Sequence, residues 1–185
     1  MPLEDVIATE LLSKRQPMPE QLAALEAMRD EAGAPGSLSM DTGCRLAMKA
    51  CHAESAGVSL FSHSRYDELT WIATSGHLAR FEGRRFPQRH SMCGVCFARD
   101  APQLFLKPHK HFQWMEMAGI GIREALVVPL KSQSGQFHGT LWVMTHAKDH
   151  VRFNWVDVDM LGLIAARLSF TAFARSADQP HGTDV

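Results

Sequence analysis

The chain has 185 residues, of which 45% are hydrophobic and 21% charged, and its formal net charge is −1. That length accommodates one domain of ordinary size, and the composition is typical of a globular protein rather than a disordered one. The near-neutral charge gives no strong reason to expect nucleic-acid binding, because proteins that bind nucleic acid carry clustered basic residues. No apolar run reaches the roughly 18 residues of a membrane span, so no membrane partner is expected.

The four cysteines are too sparse for a secreted disulfide scaffold. The first residues also lack the charged start and apolar core of a secretory signal. We therefore expect a cytoplasmic protein.

Residues 1–37 are predicted to form an N-terminal helical extension. The stretch 3–14 has the periodicity of an amphipathic helix, with apolar positions at Leu3, Val6, Ile7 and Leu11. Pro19 can begin a second short helix, and the Ala-Gly-Ala-Pro-Gly string at 32–36 indicates a turn or linker.

Residues 38–175 are predicted to form the domain proper. Ser39 can cap a helix that runs to about His52, and Asn154 can cap a final helix that ends near Ala174. Between these helices the alternation of apolar residues predicts four strands, at 56–62, 69–75, 124–130 and 137–146. Hairpin-linked strands flanked by helices indicate an α+β domain with an antiparallel sheet. Residues 176–185 are predicted to be a disordered tail.

The run from Ser91 to Phe112 gathers two cysteines and two histidines on a connection between strand-like segments. Connections carry function more often than strands do, so this run is the candidate site. If Ser91 caps a helix, Cys93 and Cys96 lie in its first turn, where free amides and the helix dipole favour a thiolate. The alternative is that both thiols simply fill space in the core.

Together with His109 and His111, the two cysteines read Cys-x2-Cys-x12-His-x-His. This spacing is close to a zinc-finger template but departs from it at the last pair, so a structural finger is not predicted. A metal ion held by some of these four side chains remains an alternative to chance clustering.

Aromatic residues accompany this run. Trp71 lies in a predicted strand with Leu69 and Ala73 on its face, and Phe112 and Trp114 follow the histidines as a candidate lid. Each ring could stack on a ligand or fill the core. The sequence contains no phosphate loop, nucleophile elbow or metalloprotease motif, so it gives no reason to propose a specific reaction.

The order AGVSLF, LTWIATSGH, SMCG, EALVVPL, GTLWVMTH and a closing helix resembles a GAF domain of the bacterial sensory type, over about residues 38–175. The resemblance implies a central antiparallel sheet of about six strands with the terminal helices on one face. It also implies a ligand pocket under the 91–115 connection on the other face, and dimerisation through the terminal helices. The implied function is small-molecule sensing in signal transduction, with a separate or fused output protein as partner.

The same resemblance defines the candidate ligand-binding residues, which are Trp71, Cys93, Cys96, His109, His111, Phe112 and Trp114. The bound group would be a metal ion or a small organic molecule. Bilin attachment is not expected, because the Cys51-His52 pair lies in the first helix, ahead of the sheet. Cys93-Gly94 is similar to the reactive pair of free methionine sulfoxide reductases. A thiol-dependent reductase with Cys93 as nucleophile and Cys96 as resolving thiol is therefore the enzymatic alternative.

Overall fold

A computed structural model describes residues 1–32, 38–62, 68–132, 134–146 and 152–177. Its helices are α1 (Leu11–Lys14), α2 (Pro19–Ala32), α3 (Met40–Ala50), α4 (Met92–Arg99), α5 (Gln113–Met117) and α6 (Trp155–Ala177). Its strands are β1 (Ser55–Phe61), β2 (Glu68–Gly76), β3 (Arg85–Pro87), β4 (Gln103–Leu106), β5 (Glu124–Lys131) and β6 (Phe137–Thr145). Short 3-10 turns occupy Ala79–Phe81 and Pro108–Lys110.

The six strands form one sheet in the order β3-β2-β1-β6-β5-β4, and every neighbouring pair is antiparallel. This architecture confirms the predicted α+β fold. The four strands predicted from the sequence coincide with β1, β2, β5 and β6. The other two, β3 and β4, have three and four residues, which is too short for alternation to reveal.

The helices α3 and α6 cover one face of the sheet, which we call the helix face, and α2 packs on α6. Its core is mainly aliphatic, with Val58, Leu126, Leu141, Ile164 and Leu168 among the buried residues. Both predicted caps are present. The Ser39 hydroxyl accepts the N–H of Thr42 at 3.2 Å, and the Asn154 side chain accepts the N–H of Val156 at 2.9 Å.

The N-terminal segment differs from the prediction of a single helix over 3–14. Ile7 forms an antiparallel bridge with Phe105 of β4. The Ala8 N–H donates to the Leu104 carbonyl at 2.9 Å, and the Leu106 N–H donates to the Val6 carbonyl at 2.7 Å. The prediction was wrong because β4 is an edge strand whose free backbone groups attract an extended partner. Helicity is confined to α1.

A bulge in β2 corrects the expected face of one residue. Val58 of β1 lies opposite Ala73, but Ser59 lies opposite Trp71, so Ile72 is an extra residue in β2. The extra residue reverses the alternation of side chains. Trp71 and Leu69 therefore share one face, whereas Ala73 lies in the helix-face core.

The predicted domain boundaries fall partly on undescribed residues. Residues 33–37, which contain the boundary between the N-terminal extension and the domain, lie outside the described part of the chain. At the other end α6 continues to Ala177, three residues past its predicted end. Residues 178–185 of the predicted tail lie outside the described residues. None of the described helices is both long enough and apolar enough to cross a bilayer.

Candidate functional site

Residues 91–115, which we call the cover segment, include the edge strand β4; the rest of the segment lies over the face of the sheet opposite α3 and α6. Helix α4 contacts β4, β5 and β6 from this side. Between the cover segment and the sheet is a second core, rich in aromatic and sulfur-containing side chains. It includes Trp71, Phe86, Met92, Cys93, Cys96, Phe105, Phe112, Met115, Trp142 and Met144. The connection predicted to carry the site therefore does fold over the sheet.

The start of α4 is held by its cap. The Ser91 hydroxyl accepts the Gly94 N–H at 3.0 Å and donates to the Gln88 carbonyl at 2.8 Å. A Cβ at Gly94 would lie 1.9 Å from that same carbonyl oxygen, so only glycine fits there. This tight turn directs Cys93 and Cys96 into the core, where they are 3% and 0% exposed.

A polar cluster lies beneath α4 and consists of Ser59, Cys93 and Thr140. The indole N–H of Trp142 donates to the Ser59 hydroxyl at 3.0 Å. The Ser59 oxygen lies 3.5 Å from the Cys93 sulfur. Ser59 and Thr140 face each other across β1 and β6, and both are fully buried. The cluster is a small group of polar side chains in an otherwise apolar layer.

One member of the cluster is not satisfied. The Thr140 hydroxyl is buried and makes no hydrogen bond of acceptable geometry among the described residues. It does lie near enough to Cys93 to lower the pKa of that thiol. A buried hydroxyl without a partner loses its hydrogen bonds to water. The Thr140 hydroxyl therefore has a hydrogen-bonding capacity that the protein itself leaves unused.

Aromatic rings fill the layer next to the polar cluster. Trp71 lies 4.6 Å from Trp142 and 4.5 Å from Phe86, measured between ring centroids. Trp114 from the cover segment lies 4.4 Å from Phe86, and its N–H donates to the His90 carbonyl at 2.9 Å. The Trp142 ring lies against Gly57, where a Cβ would come within 2.2 Å of it. Side chains, rather than open space, occupy this part of the interface.

The two thiols do not have the environment expected of a reactive pair. Burial raises the pKa of the Cys93 thiol, and the neighbouring hydroxyls of Ser59 and Thr140 only partly oppose it. Burial likewise raises the pKa of Cys96. The expectation that the helix dipole favours a thiolate is therefore wrong, because desolvation outweighs it. The Cys96 sulfur points to the carbonyls of Ala101 and Val127, away from Ser59.

The two histidines have partners of their own. His109 Nδ1 accepts the Ile122 N–H at 3.2 Å, and His111 Nδ1 donates to the Met1 carbonyl at 2.8 Å. Within the described ranges no three His, Cys, Asp or Glu side chains lie close enough together to hold a metal ion. The structure thus does not assemble Cys93, Cys96, His109 and His111 into a metal centre.

Five of the seven predicted site residues fall into two groups. Trp71, Cys93 and Trp114 lie around the polar cluster and the aromatic layer. Phe112 is buried with its ring centroid 6.2 Å from that of Phe105 of β4, in the part of the layer reached by the N-terminal segment. The half-buried His111 also contacts that segment.

Two residues of the site were missed from the sequence, Ser59 and Thr140. A signal for Ser59 exists, because Ser55, Gly57 and Ser59 place small side chains at every second position of β1. Such a row leaves room above one face of the strand.

An open groove of about 490 Å³ lies elsewhere, on the helix face. It runs between α2, α6 and β5, and its lining includes Val128, Val158, Gly162, Leu163 and Ala166. The groove and the polar cluster are therefore on opposite sides of the sheet.

Comparison with solved structures gives three informative similarities. The chain is 18% identical to the GAF domain of an Acinetobacter phosphoenolpyruvate-protein phosphotransferase, with a TM-score of 0.65 over 87% of this chain and 98% of that one. It is 19% identical to the GAF-B domain of DevS from Mycobacterium smegmatis, with a TM-score of 0.57 over 76% and 96% of the two chains. It is 17% identical to a free methionine-R-sulfoxide reductase from Neisseria meningitidis in complex with its substrate, with a TM-score of 0.61 over 86% and 96%. At these identities the likeness concerns the fold.

A search of curated proteins finds no match. The family model of the GAF domain matches residues 39–171, which is most of the chain. GAF domains are in general ligand-binding domains of signalling proteins. The antiparallel sheet, the helix face and the cover segment agree with that match, and this chain belongs to the GAF domain family.

Proposed function

We propose that this chain is a cytoplasmic sensory domain that binds a small molecule between the cover segment and the sheet. The observation that carries the proposal is the buried Thr140 hydroxyl, which has no hydrogen-bond partner among the described residues. A ligand that accepts or donates a hydrogen bond there would satisfy it. The flanking indoles of Trp71 and Trp142 would pack against a flat, mostly apolar molecule.

Binding of such a ligand requires the rings to move, because side chains occupy the space. We expect the end of the cover segment to move, because α5 there has only five residues. Trp114 is half-buried and reaches the layer from outside. Displacement of Trp114 would open the aromatic layer without disturbing the strands.

The route by which ligand binding would affect the terminal helices starts at β5. Ala125 and Val127 of β5 lie beneath the cover segment. The carboxylate of Glu124, at the start of the same strand, accepts the N–H of Phe153, just before α6. Ligand binding would therefore bias the position of α6, provided that the ligand has different affinities for the two positions.

We also propose that the chain forms a homodimer through its terminal helices and acts on a separate or fused output protein. The groove beside α6 supports this proposal, because Gly162 and Ala166 expose the helix backbone to a second helix. Light scattering after gel filtration tests it. A mass that stays at 20.6 kDa at all concentrations would contradict the dimer.

The environment of the two thiols does not favour the reductase alternative. A thiol nucleophile acts as a thiolate, and burial raises the pKa of both Cys93 and Cys96. Their exposure of 3% and 0% also leaves a substrate no access in this conformation.

A thermal-shift screen with small metabolites tests the sensing proposal. Ligands that raise the melting temperature are then titrated while tryptophan fluorescence is followed, since the indoles adjoin the proposed site. Thr140→Val should weaken binding about tenfold, the value of one buried hydrogen bond. The matched control is Thr70→Val, because Thr70 lies between Leu69 and Trp71 and therefore faces away from the cover segment. Equal weakening by both variants, or the absence of any stabilising ligand, would contradict the proposal.

A further inference from the structure

Three exposed arginines lie at the β3 edge of the sheet, and we call them the arginine edge. Arg80 and Arg84 both lie over the ring of Phe81, with their guanidinium carbons 4.9 and 5.2 Å from its centroid. Arg85 follows directly, at the first position of β3. Because one buried ring holds two guanidinium groups, these long side chains are positioned before any partner arrives.

The backbone at this edge is also available. Strand β3 pairs only with β2, so its other side is free among the described residues. The Arg84 carbonyl accepts the N–H of Trp71 at 3.0 Å. Since backbone groups alternate in direction along a strand, the N–H and C=O of Arg85 point away from β2. An extended segment from another protein could add to the sheet there.

The charges of the arginine edge are poorly compensated. In the described part of the chain, no carboxylate forms an ion pair with the guanidinium of Arg80 or Arg84. Arg85 has Glu68 at 3.9 Å, but their side chains are 63% and 42% exposed, which makes the pair weak. The nearby Glu82 carboxylate accepts the N–H of Thr74.

The opposite edge of the sheet carries charges of both signs. There the N-terminal segment pairs with β4 and exposes Glu4, Asp5 and Glu10, but Lys107 and Lys110 are exposed beside the same strand. A second copy of the chain therefore offers the arginine edge no purely acidic surface there.

We infer that the arginine edge docks an acidic polypeptide segment of a partner protein. The planar forks of three arginines suit carboxylates, and an extended segment can satisfy the backbone of Arg85 at the same time. Nucleic acid fits less well, because three contacts give little affinity. This inference concerns a surface apart from the cover segment and does not rest on the proposed ligand site.

Fluorescence anisotropy with a labelled oligoglutamate peptide tests the inference on the full chain. The test variant is Arg80→Gln with Arg84→Gln. The matched control is Arg45→Gln with Lys49→Gln, which removes the same charge from positions of α3 outside the arginine edge. We expect the test variant to weaken binding about fivefold, in line with two exposed charge pairs, and the control to change it less than twofold.

Two further ligands and one further variant test whether the surface recognises carboxylates. An oligoglutamine peptide should not bind, and an oligothymidylate of equal length should bind more weakly than oligoglutamate. Arg80→Lys with Arg84→Lys keeps the charge and should restore most of the affinity. Equal loss in test and control variants, or preference for the oligothymidylate, would overturn the inference. A test variant that binds the peptide unchanged but aggregates would also overturn the inference. The arginines would then serve only to keep the free edge strand from pairing with other chains.

Discussion

The two faces of the sheet differ in how completely their buried polar groups are satisfied. On the helix face, Arg15 binds the Glu124 carboxylate through two nitrogens at 2.8 and 3.0 Å and the Phe153 carbonyl at 2.8 Å. Asp157 likewise accepts the N–H of Asn154 at 2.8 Å and lies 3.3 Å from the amide nitrogen of Gln21. On the cover-segment face, by contrast, the Thr140 hydroxyl has no hydrogen bond among the described residues.

The difference indicates separate roles. The helix face uses its polar groups to attach the N-terminal segment and the start of α6 to the domain. The other face combines packed aromatic rings with a hydroxyl that has no hydrogen bond among the described residues, and this is why we propose the ligand site there. The following predictions test this contrast, beginning with the largest expected effect.

Loss of the buried ion pair on the helix face should have the largest effect. Arg15→Met leaves the Glu124 carboxylate, which is 4% exposed, without its cation. We expect a loss of about 3–5 kcal/mol in the free energy of unfolding, measured by urea denaturation. The control is Arg29→Met, since the Arg29–Asp159 pair is largely exposed and should contribute less than about 1 kcal/mol. Similar losses in both variants would contradict the contrast.

The second prediction concerns pH and Asp157. Burial raises the pKa of this carboxyl from 3.8 to about 6. The folded state therefore holds the proton more tightly than the unfolded state. The resulting stabilisation is complete below about pH 4 and is lost as the pH rises through 6, by about 3 kcal/mol.

Asp157→Asn should remove this pH dependence while keeping an acceptor for the Asn154 N–H. The measurement compares the urea midpoints of the two proteins from pH 4.5 to pH 7.5. In the difference, the contributions of the other carboxylates to the pH dependence of stability cancel. A constant difference across that range would count against a raised pKa in the folded state.

Overpacking tests the aromatic layer on the other face. Gly57→Ala places a Cβ against the Trp142 ring, and we expect a loss of about 1–3 kcal/mol with a change in tryptophan fluorescence. Gly121→Ala is the control, because nothing lies within 4 Å of its added Cβ. That variant should gain up to about 1 kcal/mol. A neutral Gly57→Ala would show that the ring moves freely.

The smallest expected effect distinguishes the two hydroxyls of the polar cluster. Ser59→Ala removes the acceptor of the Trp142 N–H and should cost about 1–2 kcal/mol. Thr140→Val removes a hydroxyl without a partner among the described residues and should be neutral or slightly stabilising. Thermal denaturation of both variants checks this order, and an equal loss would mean that Thr140 is already satisfied.

Much of the fold was predictable because local patterns and tertiary structure agree. The alternation of apolar residues identified β1, β2, β5 and β6, and the polar caps Ser39, Ser91 and Asn154 marked the starts of three helices. The position of most of the cover segment was also predictable, since Cys93 and Trp114 reach the core between the segment and the sheet.

The rest depended on contacts between distant residues. The bulge at Ile72 moves Ala73 to the other face, and no local pattern marks it. The segment around Ile7 pairs with β4 despite its helical periodicity. The protonation of Cys93 follows from burial under α4, which sequence position does not reveal.

The sequence by itself determined the order of the main elements, because this follows from periodicity and caps within short stretches. Its resemblance to GAF domains indicated the family and the segment that covers the sheet. Only the tertiary structure decided which polar groups find partners. Ser59 and Thr140 are 81 residues apart in the chain and meet solely through the pairing of β1 with β6. Hydrogen-bond satisfaction is a property of the packed interior, where water no longer competes and each group depends on what the fold places beside it.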